Sequence, residues 1–160
     1  MGAASVTGIL SYLRIDAALA TSGQPSVDEL AAIASDGTEV VINLALHDDP
    51  RYALPDEADT VSTLGMTYVH IPVRFDAPNE AELVAFFDAM ERHRGKKLLV
   101  HCAANKRVTA FLGLYRVIRC GWETEKAFAL MSEIWQPDAV WSSFIAEMLP
   151  GNQSGARPSD

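Results

Sequence analysis

The stretch Lys97-Leu98-Leu99-Val100-His101-Cys102-Ala103-Ala104-Asn105-Lys106-Arg107-Val108-Thr109 constrains this chain more than any other. An apolar run of a length suited to a buried strand stops at His101-Cys102 and crosses small and polar residues. It then enters Val108 to Ile118, which is apolar on nearly every face. The pattern predicts strand, tight loop and buried helix. In such a unit the loop lies at the carboxyl edge of a sheet, where its backbone N–H groups and the helix N-terminus together make an anion site. A thiol placed there ionises readily. Helix N-termini and neighbouring cations, here Lys106, Arg107 and His101, lower a cysteine pKa from about 8.5 toward or below neutrality. A lone cysteine at a strand end is commonly just packing. Its coincidence with Arg107, small loop residues, the Thr109 hydroxyl and a strand-to-helix context makes Cys102 the candidate nucleophile.

The remaining composition narrows the setting. A chain of 160 residues suits one domain with a proper core, and 49% hydrophobic with 21% charged residues is the balance of an ordinary soluble globular protein. A net charge of −8 argues against a general binder of nucleic acid or anionic membrane, while leaving room for a local positive site. Cys102 and Cys120 are too few and too far apart for a disulfide framework or a paired-cysteine metal site. His47, His70, His93 and His101 are scattered without ligand spacing, so no metal is expected. A reducing cytoplasm is the simplest location. Arg14 and Asp16 interrupt the first apolar run, which speaks against a signal peptide. Val6 stands where a myristoylation motif needs Ser or Thr, and no stretch is long enough to span a bilayer.

Taken in order, the chain alternates strands and helices. Two short extended pieces, around Leu13 and around Leu19 to Thr21, close on the turn Ser22-Gly23-Gln24-Pro25. Ser26 with Glu29 makes a capping box that opens a helix to about Ala34, ended by Asp36-Gly37. Glu39 to Leu46, dense in β-branched residues, predicts a parallel strand buried on both faces. A polar loop from His47 to Tyr52 follows it, and such loops are where sites assemble. Asp56 to Leu64 has helical spacing, and Met66 to Val73 predicts the next strand. Asn79 with Glu82 caps a helix to about Arg92, with Leu83, Phe86, Phe87 and Met90 on its inner face. Beyond the buried helix, Cys120-Gly121-Trp122 turns the chain and Thr124 caps a helix to about Trp135. Pro137 breaks it before a last helix to Met148. The three tryptophans, Phe86-Phe87 and Cys120 are expected in the core. The sum is an α/β three-layer sandwich, with a mostly parallel central sheet flanked by helices and no internal repeat.

His101-Cys102 through Arg107 and Thr109 resembles the phosphate-binding loop of cysteine-dependent protein tyrosine phosphatases, whose signature is His-Cys, five residues, Arg, then Ser or Thr. Other landmarks occur in the same order: Ser22 to Pro25, the Val-Ile-Asn-Leu strand, Gly65 to Val73, and the Asp loop after it. Together they resemble the dual-specificity-phosphatase-like family, in particular its small bacterial branch, over residues of about 8 to 149. A single domain over that span is expected, with residues 1–7 and 150–160 as flexible termini.

The resemblance implies a protein tyrosine phosphatase-like fold and hydrolysis of phosphomonoesters, with a phosphorylated protein or small molecule as partner and no cofactor. Cys102 would form a phosphocysteine, and Arg107 would clamp the equatorial oxygens. Backbone N–H groups of Ala103, Ala104, Asn105, Lys106 and Arg107 would hold the others. Asp76 matches the general acid by position, with Arg74 as a weaker candidate for substrate binding. His101 and Thr109 would be supporting residues, His101 tuning the thiolate. Asn105 replaces the signature's usual glycine, and Asn tolerates left-handed backbone better than most residues.

One departure stands out: four residues separate Cys102 from Arg107 where the signature has five, and Val108 occupies the signature's Arg position. If the loop keeps its length, Arg107 is turned by about 100° at the helix start. If it is shorter, the cradle narrows. Either case predicts low turnover, since a misplacement near 1 Å can cost about 10²-fold. The same spacing resembles the loop of rhodanese-type sulfurtransferases, where the cysteine carries a persulfide. A phosphate-binding module without turnover is the third reading.

Overall fold

The computed structural model describes residues 6–46 and 54–150, so the stretch His47 to Tyr52 expected as a polar loop, and most of the termini expected to be flexible, lie outside them. After a 3-10 turn at Val6–Gly8, the elements run β1 (Leu13–Arg14), β2 (Leu19–Ser22), α1 (Val27–Ser35), β3 (Val40–Asn43), α2 (Glu57–Thr63), β4 (Thr67–His70) and α3 (Glu80–Arg92). The second half adds β5 (Leu98–His101), α4 (Lys106–Ile118), α5 (Thr124–Ala127), α6 (Ala129–Ile134) and α7 (Ala139–Met148). The five strands make one sheet in the order β1-β2-β5-β3-β4. Only β1 runs antiparallel, against β2. The fold is therefore the α/β sandwich with a mostly parallel sheet that the sequence predicts.

Side chains that alternate across each strand sort the core into two layers. Leu19, Val40, Ile42, Leu98 and Val100 pack with Phe86 of α3, Phe111 of α4, and Trp141 and Phe144 of α7. Ala20, Val41 and Leu99 point the other way, onto Leu30 and Ile33 of α1 and Val61 of α2. Every residue of β2, β3 and β5 is buried, as expected of strands covered on both faces. The same alternation decides the site. It sends His101 toward the α2 side and Cys102, one residue on, into the larger layer.

Both capping boxes form: the Ser26 hydroxyl accepts from the Glu29 N–H and the Asn79 side chain from the Glu82 N–H, each acid returning a bond to its cap. Elsewhere the elements differ from the sequence pattern. The segment from Thr124 to Trp135 is two short helices, because Phe128 leaves helical geometry. Glu123, not Thr124, precedes the first of them, and it makes no side-chain cap. The α4 helix begins at Lys106, two residues before Val108, which brings Lys106 and Arg107 into its first turn. Of the tryptophans, Trp141 is wholly buried and Trp135 partly so. Trp122 is exposed under the Arg116 guanidinium, 4.2 Å from its ring centre. Cys120 is exposed rather than packed in the core.

Candidate active site

At the carboxyl edge of β5, Cys102 leaves the sheet with its N–H on the Ser22 carbonyl at 3.3 Å, and it is 1% exposed. The loop beyond it is held by the turn after β2: the Gln24 N–H donates to the Ala103 carbonyl at 3.0 Å, and Gly23 bridges Ala104. This approach explains Gly23, since a Cβ there would lie 2.5 Å from the Ala103 carbonyl oxygen. Asn105 then takes the left-handed conformation, φ 67°, from which α4 starts. Its amide donates to the Ser11 carbonyl and the Thr21 hydroxyl, fixing the loop from beneath. The first N–H groups of a helix lack intrahelical partners, so the start of α4 presents donors together with the positive end of its dipole.

Arg107 is the only cation buried with the site among the described residues, at 8% exposure. Its Nη1 donates to the Val73 carbonyl at 2.8 Å, and the guanidinium lies 5.9 Å from the Phe75 ring centre. Neither partner is an acid. Among the described residues the charge is therefore buried without a carboxylate beside it, and one of its five donors is taken up by the Val73 carbonyl. Lys106, exposed, stands 5.9 Å over Phe75 and 5.7 Å over Trp135.

Phe75 ties the loop after β4 to this end of α4. It packs on Trp135 and Trp141, and its carbonyl accepts from the Trp141 indole at 2.7 Å. Asp76, the next residue, is thereby carried on the strap that Arg107 and Trp141 hold down. Its carboxylate is exposed and meets Arg74 in two bonds of 3.1 Å. That guanidinium holds the Asp76 carboxyl below the usual carboxylate range, by hydrogen bonding first and charge second.

Thr109 stands apart from the thiol chemistry. Its hydroxyl bonds the Asn105 and Lys106 carbonyls and accepts from the Trp135 indole at 3.2 Å, so its proton is committed to the helix backbone. His101 does not bond the Cys102 thiol either. Its Nδ1 faces the Cys102 carbonyl at 3.3 Å and its Nε2 meets Glu57 at 2.6 Å, both side chains fully buried. Glu57 also accepts from the Gln24 amide at 2.8 Å. Sequence reasoning missed Glu57 because the α2 pattern marks it as a first-turn acid, ordinarily solvated. No spacing in the chain links it to a histidine 44 positions away. Among the described residues no three His, Cys, Asp or Glu side chains converge as a metal site, and no helix is long and apolar enough to cross a membrane.

A mostly parallel sheet with a cysteine at the end of its central strand and an arginine in the first turn of the helix that follows is the architecture of a phosphatase-like domain of the protein tyrosine and dual-specificity type. The chain belongs to the family described as DSP-PTPase phosphatase fused to NAD+ kinase, whose model matches residues 8–139. It is 32% identical to the "Putative phosphatase (DUF442)" of Shewanella putrefaciens CN-32, with a TM-score of 0.79 over 89% of this chain and 93% of that one. The beta-lactamase hydrolase-like protein of Xylella fastidiosa (strain Temecula1 / ATCC 700964) is 31% identical over 68% of this chain, which spans only 26% of that relative's length. At 16% identity, TpbA of P. aeruginosa, solved in complex with pTyr, shares the fold, with a TM-score of 0.69 over 96% of each chain.

Proposed function

We propose that this domain hydrolyses phosphomonoesters, aryl phosphates of the phosphotyrosine kind among them, through a phosphocysteine on Cys102. The observation that carries the proposal is the buried Arg107 guanidinium, in the first turn of the helix that follows Cys102 and without an acidic partner among the described residues. A buried charge is ordinarily paired, and a site that supplies the cation without its anion is built to receive one. The dianionic phosphate of a monoester suits that cation, held by the Arg107 fork and by backbone N–H groups from Ala103 to Arg107. The Cys102 thiolate attacks phosphorus in line, the ester P–O bond breaks, and Asp76 gives its proton to the departing oxygen. Water then attacks the phosphocysteine and returns a proton to Asp76. The S–P bond breaks, releasing inorganic phosphate and the thiolate.

Phe75 and Trp135, with Lys106 over both, form an aromatic and cationic cluster at the start of α4. Such a cluster suits an aryl ester, and the phosphotyrosine bound by TpbA supports that choice of substrate. Low turnover is expected, since one residue fewer than the signature separates Cys102 from Arg107, whose guanidinium also bonds the Val73 carbonyl.

Hydrolysis of a generic aryl phosphate tests the proposal. Cys102→Ser should abolish turnover, and Asp76→Asn should lower kcat by about 10²-fold, the worth of a positioned acid. Arg107→Lys, which loses the two-pronged fork, should cost roughly 10²- to 10³-fold in kcat/KM. Wild-type activity that survives Cys102→Ser would overturn the mechanism.

A further inference from the structure

Beneath the loop a buried acid is bonded, through one intermediary on each side, to two successive loop carbonyls. One oxygen of Glu57 meets the His101 ring, whose other nitrogen faces the Cys102 carbonyl. The second oxygen accepts from Gln24, whose backbone N–H bonds the Ala103 carbonyl. We propose that Glu57 is a positioning residue for the Cys102 thiolate, acting through the His101 ring. The inference rests on the reading of Cys102 as nucleophile.

Proton accounting carries it. The Cys102 carbonyl and the Glu57 carboxylate are both acceptors, and His101 lies between them. In every arrangement that satisfies both contacts, Nδ1 carries a hydrogen toward the Cys102 carbonyl, while one further proton sits between Nε2 and Glu57. The buried pair is then neutral, and the N–H it aims at the nucleophile's own peptide draws electron density from the residue that must hold a negative sulfur.

The surrounding groups leave the sign open to test. Cys102 is followed on α4 by the cations Lys106 and Arg107. Glu57 faces Gln24 and acts electrostatically on Tyr68 of β4, whose phenol is raised well above its ordinary value, by burial first and by Glu57 second. A carboxylate acting on the thiol by charge alone would disfavour the thiolate, and removing it would lower the thiol midpoint. The proposed relay predicts the reverse.

The test is the ultraviolet absorbance of the thiolate titrated against pH in a Cys120→Ser background, which leaves Cys102 as the one thiol. Glu57→Gln, whose amide no longer dictates the ring tautomer, should raise the Cys102 midpoint by about one pH unit, a tenfold loss of thiolate below it. In aryl phosphate hydrolysis kcat should fall about tenfold with KM unchanged. His101→Asn should raise the midpoint similarly, and adding Glu57→Gln to it should move nothing further. If Glu57→Gln does not fold, Glu57→Asp, with its carboxylate drawn back by one carbon, must shift the midpoint the same way. A midpoint that falls or stays, or an additive double variant, overturns the relay. Because the titration needs no substrate, a wild type without phosphatase activity would sink the proposed function and leave this result standing.

Discussion

Asp76 holds its exposed carboxylate against Arg74, and under the proposed mechanism that pairing has a kinetic signature. An acid that must be protonated to serve its leaving group loses activity as pH rises through its pKa. Arg74 sets that pKa low, so the alkaline limb of the kcat profile should begin at low pH. Arg74→Ala, which returns Asp76 toward the ordinary carboxylate range, should move the limb to higher pH, and a profile unchanged by the substitution would remove Asp76 from the acid role. Gly23→Ala belongs to the same scale. Its Cβ meets the Ala103 backbone, which cannot step aside like a side chain, so the variant should lose about 1–3 kcal/mol in chemical denaturation and most of its turnover. The residues of the loop were legible because Cys, Arg and small residues crowd one short stretch. Glu57 was not, nor the diversion of Thr109 to Trp135, since both depend on what tertiary packing brings from distant elements.

Among elements, α4 shows how far periodicity reaches and where it stops. Its apolar body announced a buried helix, and Asn105, which tolerates left-handed backbone, marked the turn before it, but periodicity alone put the start at Val108 and missed Lys106 and Arg107 in its first turn. The break between α5 and α6 has a similar origin. The Phe128 ring lies against Gly113 of α4, where a Cβ would come within 2.4 Å of it. A glycine inside a helix apolar on every face was the available sign that another element approaches closely there. Gly113→Ala should force the ring away and destabilise the fold by about 1–3 kcal/mol by denaturant unfolding. The caps were read directly, because Ser-x-x-Glu and Asn-x-x-Glu state their own hydrogen bonds. Ser26→Ala should cost about 1 kcal/mol and leave kcat in place.

For the whole molecule, the order of strands and helices was visible in the sequence because the buried strands β3 and β5 are short apolar runs, each closed by a polar residue at its carboxyl end, between segments of helical spacing. The sheet order had no such trace. Stability of the molecule should decline on acidification in two stages. Burial, then the nearby Lys96 and Arg92 charges, hold His93 below its ordinary value, so its contribution is present above the unfolded histidine range and lost as pH falls through the lowered one. Asp36, kept low chiefly by its bond to Lys97 and then by Arg14, loses its contribution further down, as pH falls through the carboxylate range. Thermal unfolding followed from pH 7 downward should show the upper stage removed in His93→Gln. The central claim, a covalent phosphoryl group on the thiol at the end of β5, is tested most directly by acid quench of the protein during turnover of an aryl phosphate, followed by peptide mass analysis. Phosphate on the peptide that holds Cys102, and absent from it in Cys102→Ser, is the predicted result. Turnover with that peptide unmodified at every quench time, or a persulfide formed there from thiosulfate in place of the phosphoryl group, would contradict it.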